Sequence, residues 1–184
     1  NTTASNNTAV GYQAGVSNTT GDSITAVGYR AGYLNTTGAD NTAIGRSALA
    51  NNTTGISNTA IGMNAMVANT TASNNTAVGY KAAYNNTTGT EISAVGYQAG
   101  INNTASELTT FGSQSARSNT TGIRNAAFGR AALYSNTTGA SNTALGNEAL
   151  LSNTTASNNT AVGYQAGYSN TTGTTNVFIG RYSG

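Results

Sequence analysis

Few side chains in this sequence could act as an acid, a base or a nucleophile. The 184 residues contain no His and no Cys, which excludes an imidazole base, a thiolate nucleophile and the usual zinc sites. Five carboxylates remain: Asp22, Asp40, Glu91, Glu107 and Glu148. Two carboxylates about 5–10 Å apart can hydrolyse a glycoside, and Glu91 and Glu107 lie one coil apart by column, but neither has a recurrent neighbour that would tune it. We therefore predict a chain that is not an enzyme and that binds no cofactor and no metal.

Charge and hydropathy exclude further classes. Seven Lys and Arg against five Asp and Glu give a net charge of +2, spread along the whole chain. Nucleic-acid binding requires a concentrated basic patch, so we expect no nucleic-acid partner. No run of 18 apolar residues occurs, so we expect no insertion into a membrane. No column of Asp recurs either, which disfavours a calcium-binding roll.

An aliphatic residue or Phe followed by Gly recurs throughout the chain. The spacing is 17 residues from Val10-Gly11 onward, except that Gly96 and Gly112 are 16 residues apart. The missing residue falls near 104–106, where other copies have an Asn-Thr-Thr-Gly turn. The copies are Val10-Gly11, Val27-Gly28, Ile44-Gly45, Ile61-Gly62, Val78-Gly79, Val95-Gly96, Phe111-Gly112, Phe128-Gly129, Leu145-Gly146, Val162-Gly163 and Ile179-Gly180.

Seventeen residues suit two short strands and two turns, and Thr, Asn and Gly are poor helix formers. We therefore predict an all-β fold: a parallel β-solenoid of about eleven coils, with residues 1–184 as a single repeat array. Coils stacked about 4.8 Å apart would form a rod roughly 50 Å long.

Equivalent positions of a solenoid form columns along its axis. Because the Val10 column is always apolar, we expect it to point inward, together with the Thr8 column, while Ala9 points outward. A second strand should centre on the Ala14 column, which contains only Ala and Ser, so the coil must be thin. The column that contains Asn7 also accepts Ile24, Ile92 and Leu108, which suggests a half-buried corner.

The Asn-Thr-Thr turns allow two interpretations. Asn favours tight turns, and stacked Asn amides can form a ladder of hydrogen bonds; we favour this interpretation. Asn-x-Thr is also an acceptor for N-glycosylation, and the sequence alone leaves both open. The same pattern begins at Asn6, Asn74 and Asn158. The candidate ladder or glycosylation residues are Asn18, Asn35, Asn52, Asn69, Asn86, Asn119, Asn136, Asn153 and Asn170.

Tyrosine occupies two further columns. Stacked elements tend to hide their apolar faces, so these columns are our candidates for an interface between copies of the chain; alternatively, the rings only stack along one surface. One column contains Tyr12, Tyr29, Tyr80, Tyr97 and Tyr164, and the other contains Tyr33, Tyr84, Tyr134 and Tyr168.

The repeat resembles known families of surface proteins. The segment 159–173 is similar to repeats of bacterial and phage tail-fibre-like proteins that carry an endosialidase-type chaperone domain. The Asn-Thr-Ala-Ile-Gly core at 41–45 and 58–62 resembles the head repeats of trimeric autotransporter adhesins. The resemblance implies a left-handed β-roll, three chains about one axis, and adhesive or spacer work outside the cell.

We therefore predict a segment of a longer, extracellular structural or adhesive fibre, on a cell surface or a virion. Its partners would be copies of itself, as a trimer or a head-to-tail filament, and weak contacts to surface glycans could add up by avidity. One alternative is an ice-binding solenoid, although such surfaces usually repeat Thr-x-Thr with both hydroxyls outward. The other is a filament coated with glycans on the Asn-Thr-Thr stripe.

Overall fold

The structure, a computed structural model, describes residues 3–184 and confirms a parallel β-solenoid. Each coil contributes one short strand, and the eleven strands form one sheet in which each pairs in register with its chain neighbours. We number each coil by its strand. The strands are β1 (Thr8–Val10), β2 (Thr25–Val27), β3 (Thr42–Ile44), β4 (Thr59–Ile61), β5 (Thr76–Val78), β6 (Ser93–Val95), β7 (Leu108–Phe111), β8 (Asn125–Phe128), β9 (Thr143–Leu145), β10 (Thr160–Val162) and β11 (Val177–Ile179).

The prediction of a second strand around the Ala14 column is wrong. That segment is a run of turns in which two positions per coil have positive φ, as at Ser47 (54°) and Leu49 (51°). Alternating left-handed residues cannot form a pleated strand. The Ala14 column is nevertheless buried, as at Ala48 and Ala65, so the prediction of a thin coil is confirmed.

The predicted direction of the strand side chains is also wrong. Ala9 begins a column that is buried from Ala26 to Ala161, whereas Val10 is 57% exposed and Ile61 37%. The reason is space: the opposite wall of the coil lies so close that the inner side of the strand holds Ala in most coils and Thr110 in coil 7. In the last coil Phe178 takes this position, beside Gly167 and Gly184. The Thr8 and Val10 columns therefore lie on the outer surface.

Most coils hold one large apolar side chain in the core. It comes either from the Asn7 column or from the position eight residues later. Coil 3 pairs Asn41 with a buried Leu49, whereas coil 2 pairs a buried Ile24 with Gly32. A Cβ atom at Gly100 would lie 3.1 Å from Cδ2 of Leu108, which fills the space that the glycine leaves. This exchange explains why Asn and Ile alternate in the Asn7 column, which is buried in coils 2 to 10 and is not a half-buried corner.

The glycine after each strand is required by close approach of the coils. Gly62 has φ of 135°, and a Cβ atom there would lie 2.5 Å from the carbonyl oxygen of Gly79 in the next coil. No other residue avoids both the strain and the clash. The glycine of the repeated apolar-Gly motif therefore lies where the backbones of successive coils approach each other closely.

Candidate functional site

The Asn18 column forms a buried ladder of side-chain amides. Asn52 Nδ2 donates to Asn35 Oδ1 (2.7 Å) and to the carbonyl oxygen of Gly55 (3.0 Å), and Asn52 Oδ1 accepts from Asn69 Nδ2 (2.8 Å). The same bonds recur along the column except between Asn86 and Asn103, so the turn is closed within each coil and tied to its neighbours elsewhere. The ladder also includes Asn103, which the sequence does not reveal because the Thr-Thr signature is lost in the 16-residue coil.

The Asn7 column forms a second ladder, which we did not predict from the sequence. Asn58 Nδ2 donates to the carbonyl oxygen of Ala72 in the next coil (2.9 Å), and Asn58 Oδ1 accepts from the backbone N–H of Asn75 (3.1 Å). Asn41 and Asn142 make equivalent pairs of bonds. Each of these amides replaces backbone pairing at a bend where the strand has not yet begun.

The ladders decide which Asn side chains a modifying enzyme could reach. From Asn18 to Asn153 the predicted residues are buried, and a glycan on Nδ2 would break the bonds just described; only Asn170, in the last coil, is partly exposed. The folded coils thus contain the hydrogen bonds of the ladder interpretation. By contrast, Asn6, Asn74 and Asn158 lie exposed at the bend before a strand.

The outer surface of the sheet is an uncharged, partly apolar strip, which we call the Thr–Val face. It consists of the Thr8 column and the Val10 column over all eleven strands, and neither column contains a charged residue. Its exposed apolar side chains include Phe111 (41%) and Leu145 (49%), and Phe111 stacks on Phe128 with ring centroids 5.4 Å apart. The face is about 50 Å long and about 10 Å wide, or about 500 Å², from the spacing of strands and residues.

The two tyrosine columns lie on one edge beside this face, in the segment that follows each strand. Tyr12 stacks on Tyr29 (centroids 5.5 Å apart), and Tyr80 on Tyr97 (5.4 Å). Cations join the two columns: Arg30 lies 5.5 Å from the Tyr29 centroid and 4.9 Å from that of Tyr33. The structure thus stacks four of the predicted tyrosines in two pairs. It adds Tyr182, which lies outside both predicted columns and packs edge-on against Tyr164.

Five of the seven cations lie on this edge without a carboxylate partner. In residues 3–184 the ion pairs are Arg124 with Glu107 (3.7 Å) and Arg130 with Glu148. Every other cation lies over tyrosine rings, and we call the tyrosine columns with these cations the tyrosine–cation ridge. The cations of the ridge are Arg30, Arg46, Lys81, Arg117 and Arg181.

Four of the five carboxylates lie on the opposite side of the Thr–Val face. They precede strands β2, β3, β6 and β7 by one to three residues, at the bend where the coil turns into the strand. All four are exposed. We call Asp22, Asp40, Glu91 and Glu107 the acidic edge.

The chain matches no family model, no curated protein and no solved structure. Residues 3–184 contain no group of three or more acidic, His or Cys side chains that could hold a metal. The same residues contain no helix long and apolar enough to cross a membrane. The resemblance to fibre and adhesin repeats stays a prediction.

Proposed function

We propose that this chain is a segment of an extracellular structural fibre whose copies pack side by side through the Thr–Val face. The observation that carries the proposal is an uncharged strip of exposed Val, Ile, Leu and Phe along the full length of the sheet. Exposed apolar patches of several hundred Å² on soluble proteins usually mark an interaction site.

The dimensions of the face support a copy of the same chain as its partner. An area of about 500 Å² per copy would bury about 1,000 Å² in total, which reaches the lower bound of a specific interface between proteins. A second rod presents rows with the same spacing, so its side chains can stay in step with these over all eleven coils. A smaller partner of different period would match only a few rows.

The proposal is tested by the oligomeric state. We expect light scattering after size exclusion to show oligomers for the wild-type chain and monomers for the double variant Ile44→Lys/Ile61→Lys. The matched control is Thr37→Lys/Thr54→Lys, which adds the same charges in the same coils at exposed positions on another side of the rod. A monomeric wild-type chain, or a control as disrupted as the face variant, would reject the proposal.

Ice binding is the second candidate function, and the orientation of the strand favours it. The Thr8 and Val10 columns are outward, so hydroxyl and methyl groups lie in regular rows on an uncharged surface. The two candidates exclude each other, because a face buried between copies cannot contact ice. Thermal hysteresis from a monomer, abolished by Ile61→Lys, would establish ice binding, whereas oligomers without hysteresis support the fibre.

A further inference from the structure

The charges beside the Thr–Val face are divided between its two sides. The acidic edge and Arg124 precede the strands, whereas the cations of the ridge, Arg130 and Glu148 follow them. These groups include all twelve charged side chains of the protein. One border of the face is therefore net negative and the other net positive, with the uncharged columns between them.

We propose that the acidic edge of one copy contacts the tyrosine–cation ridge of a second copy, so that rods pack parallel and at equal height. This inference rests on the proposed side-by-side association and adds its direction and register. The ridge is then a docking site for carboxylates, since its five cations have none within the described chain.

Symmetry selects the parallel arrangement. A two-fold rotation about an axis along the rod turns one Thr–Val face toward the other and exchanges left and right, which brings each acidic edge opposite a cationic ridge. In an antiparallel pair the two-fold axis is perpendicular to the rod. Acid then faces acid and cation faces cation, which is repulsive along both borders.

The positions of the charges along the rod favour two copies whose equivalent coils lie side by side. The acidic edge has its carboxylates in coils 2, 3, 6 and 7, and the ridge has unpaired cations in coils 2, 3, 5, 7 and 11. Without stagger, Asp22 and Asp40 face the coils of Arg30 and Arg46, while Glu107 faces that of Arg117. Glu91 is one coil from Lys81, a distance of about 5 Å.

The ridge is suited to hold its cations toward a partner. Arg30 rests on two tyrosine rings and donates from Nε to Gln13 Oε1 (2.8 Å), which leaves the terminal nitrogens free of a carboxylate. Lys81 is similarly placed between Tyr80 and Tyr84, at 5.4 and 5.1 Å from the two centroids. Such placement reduces the freedom lost when a carboxylate binds.

Distances between spin labels test the direction. The chain has no Cys, so Thr20→Cys, Thr88→Cys and Thr155→Cys each give one label, at an exposed position in coils 2, 6 and 10. Parallel rods at equal height give the same inter-copy distance for all three variants. Antiparallel rods add an axial separation of roughly 38 Å at coils 2 and 10 but none at coil 6.

Charge-swapped variants test the contact itself. The ridge-reversed variant is Arg30→Glu/Arg46→Glu/Lys81→Glu, and the edge-reversed variant is Asp22→Lys/Asp40→Lys/Glu91→Lys. We expect each alone to associate about tenfold more weakly at low salt, with a smaller difference at high salt, and an equimolar mixture to restore association.

The outcomes separate this inference from the proposed function. Association through the Thr–Val face with unequal label distances, or with no effect of the charge swaps, would overturn the charge-directed arrangement and leave side-by-side packing in place. Monomers for the labelled wild-type background would overturn both. Equal distances, together with rescue only in the mixture, would establish the parallel docking of acidic edge on ridge.

Discussion

Replacing one central amide of the Asn18 column should cost a large share of the rod's local stability. Asn52→Ala removes three hydrogen bonds, those from Nδ2 to Asn35 Oδ1 and to the Gly55 carbonyl oxygen and that from Asn69 Nδ2. Each is worth about 1 kcal/mol net, and a buried acceptor left without a donor costs about 1–3 kcal/mol.

The contacts that remain around Asn52 limit the expected loss of stability. The Gly55 carbonyl oxygen keeps a second donor, Asn41 Nδ2 at 2.7 Å, and Asn69 Nδ2 keeps the Ala72 carbonyl oxygen at 3.1 Å. Asn35 Oδ1, by contrast, loses its amide donor. We therefore expect a loss of about 3–4 kcal/mol for Asn52→Ala. Asn52→Asp should lose more, because an oxygen in place of Nδ2 would face two acceptors.

The assay is urea unfolding followed by far-UV circular dichroism, fitted with a nearest-neighbour model because repeat arrays need not unfold in one step. Asn51→Ala is the matched control, since Asn51 is the adjacent residue and is exposed. A loss for Asn52→Ala within about 0.5 kcal/mol of the control, the usual range for surface substitutions, would refute the ladder as a source of stability.

Three further predictions follow from the packing of the coils. Gly62→Ala should destabilise the rod by several kcal/mol and Gly32→Ala by only about 1 kcal/mol in urea unfolding, because both have positive φ but only the first Cβ atom meets backbone, at 2.5 Å; equal losses would contradict this. Ala60→Leu should reduce the cooperativity and midpoint of thermal unfolding, because its column is fully buried in a thin coil. Peptide mass spectrometry of native material should find the Asn18 column from Asn18 to Asn153 without glycan, and a glycan on Asn52 would show that the turn is modified before it folds.

The fold was predictable at positions where nearly every coil has the same type of residue. The 17-residue period and the Ala14 column follow from repetition alone, because every coil must place the same residue type in the same space. The buried face of the strand was not predictable, because alternation places Val10 and Ala9 on opposite faces without showing which face is interior. The space between the two walls of the coil decides which face is buried, and this space is known only once the opposite wall is known.

The candidate site was only partly predictable. Tyr29 and Tyr33 were identified by their columns, but Arg30 was not, because its column has no constant residue type and ranges from Gln and Ser to Ala and Glu. The absence of a second strand could not be predicted either, since Leu49 and Leu133 adopt positive φ without the Gly that normally signals it.

The 16-residue coil has a mechanical consequence. Within residues 3–184 no hydrogen bond joins Asn103 to Asn86 or Thr104 to Thr87, whereas Thr53 N–H donates to the Thr70 oxygen at 2.8 Å two coils earlier. The strand side of the junction stays intact, with Gly112 N–H donating to the Val95 oxygen at 2.8 Å. Bonds between coils run along the rod, so a pulling force loads the junctions in series and the weakest one sets the breaking load. On the turn side Thr90 still bonds Ser106 and Glu107. We therefore expect a rod under tension to part first between coils 6 and 7, into two pieces that each keep their own ladders.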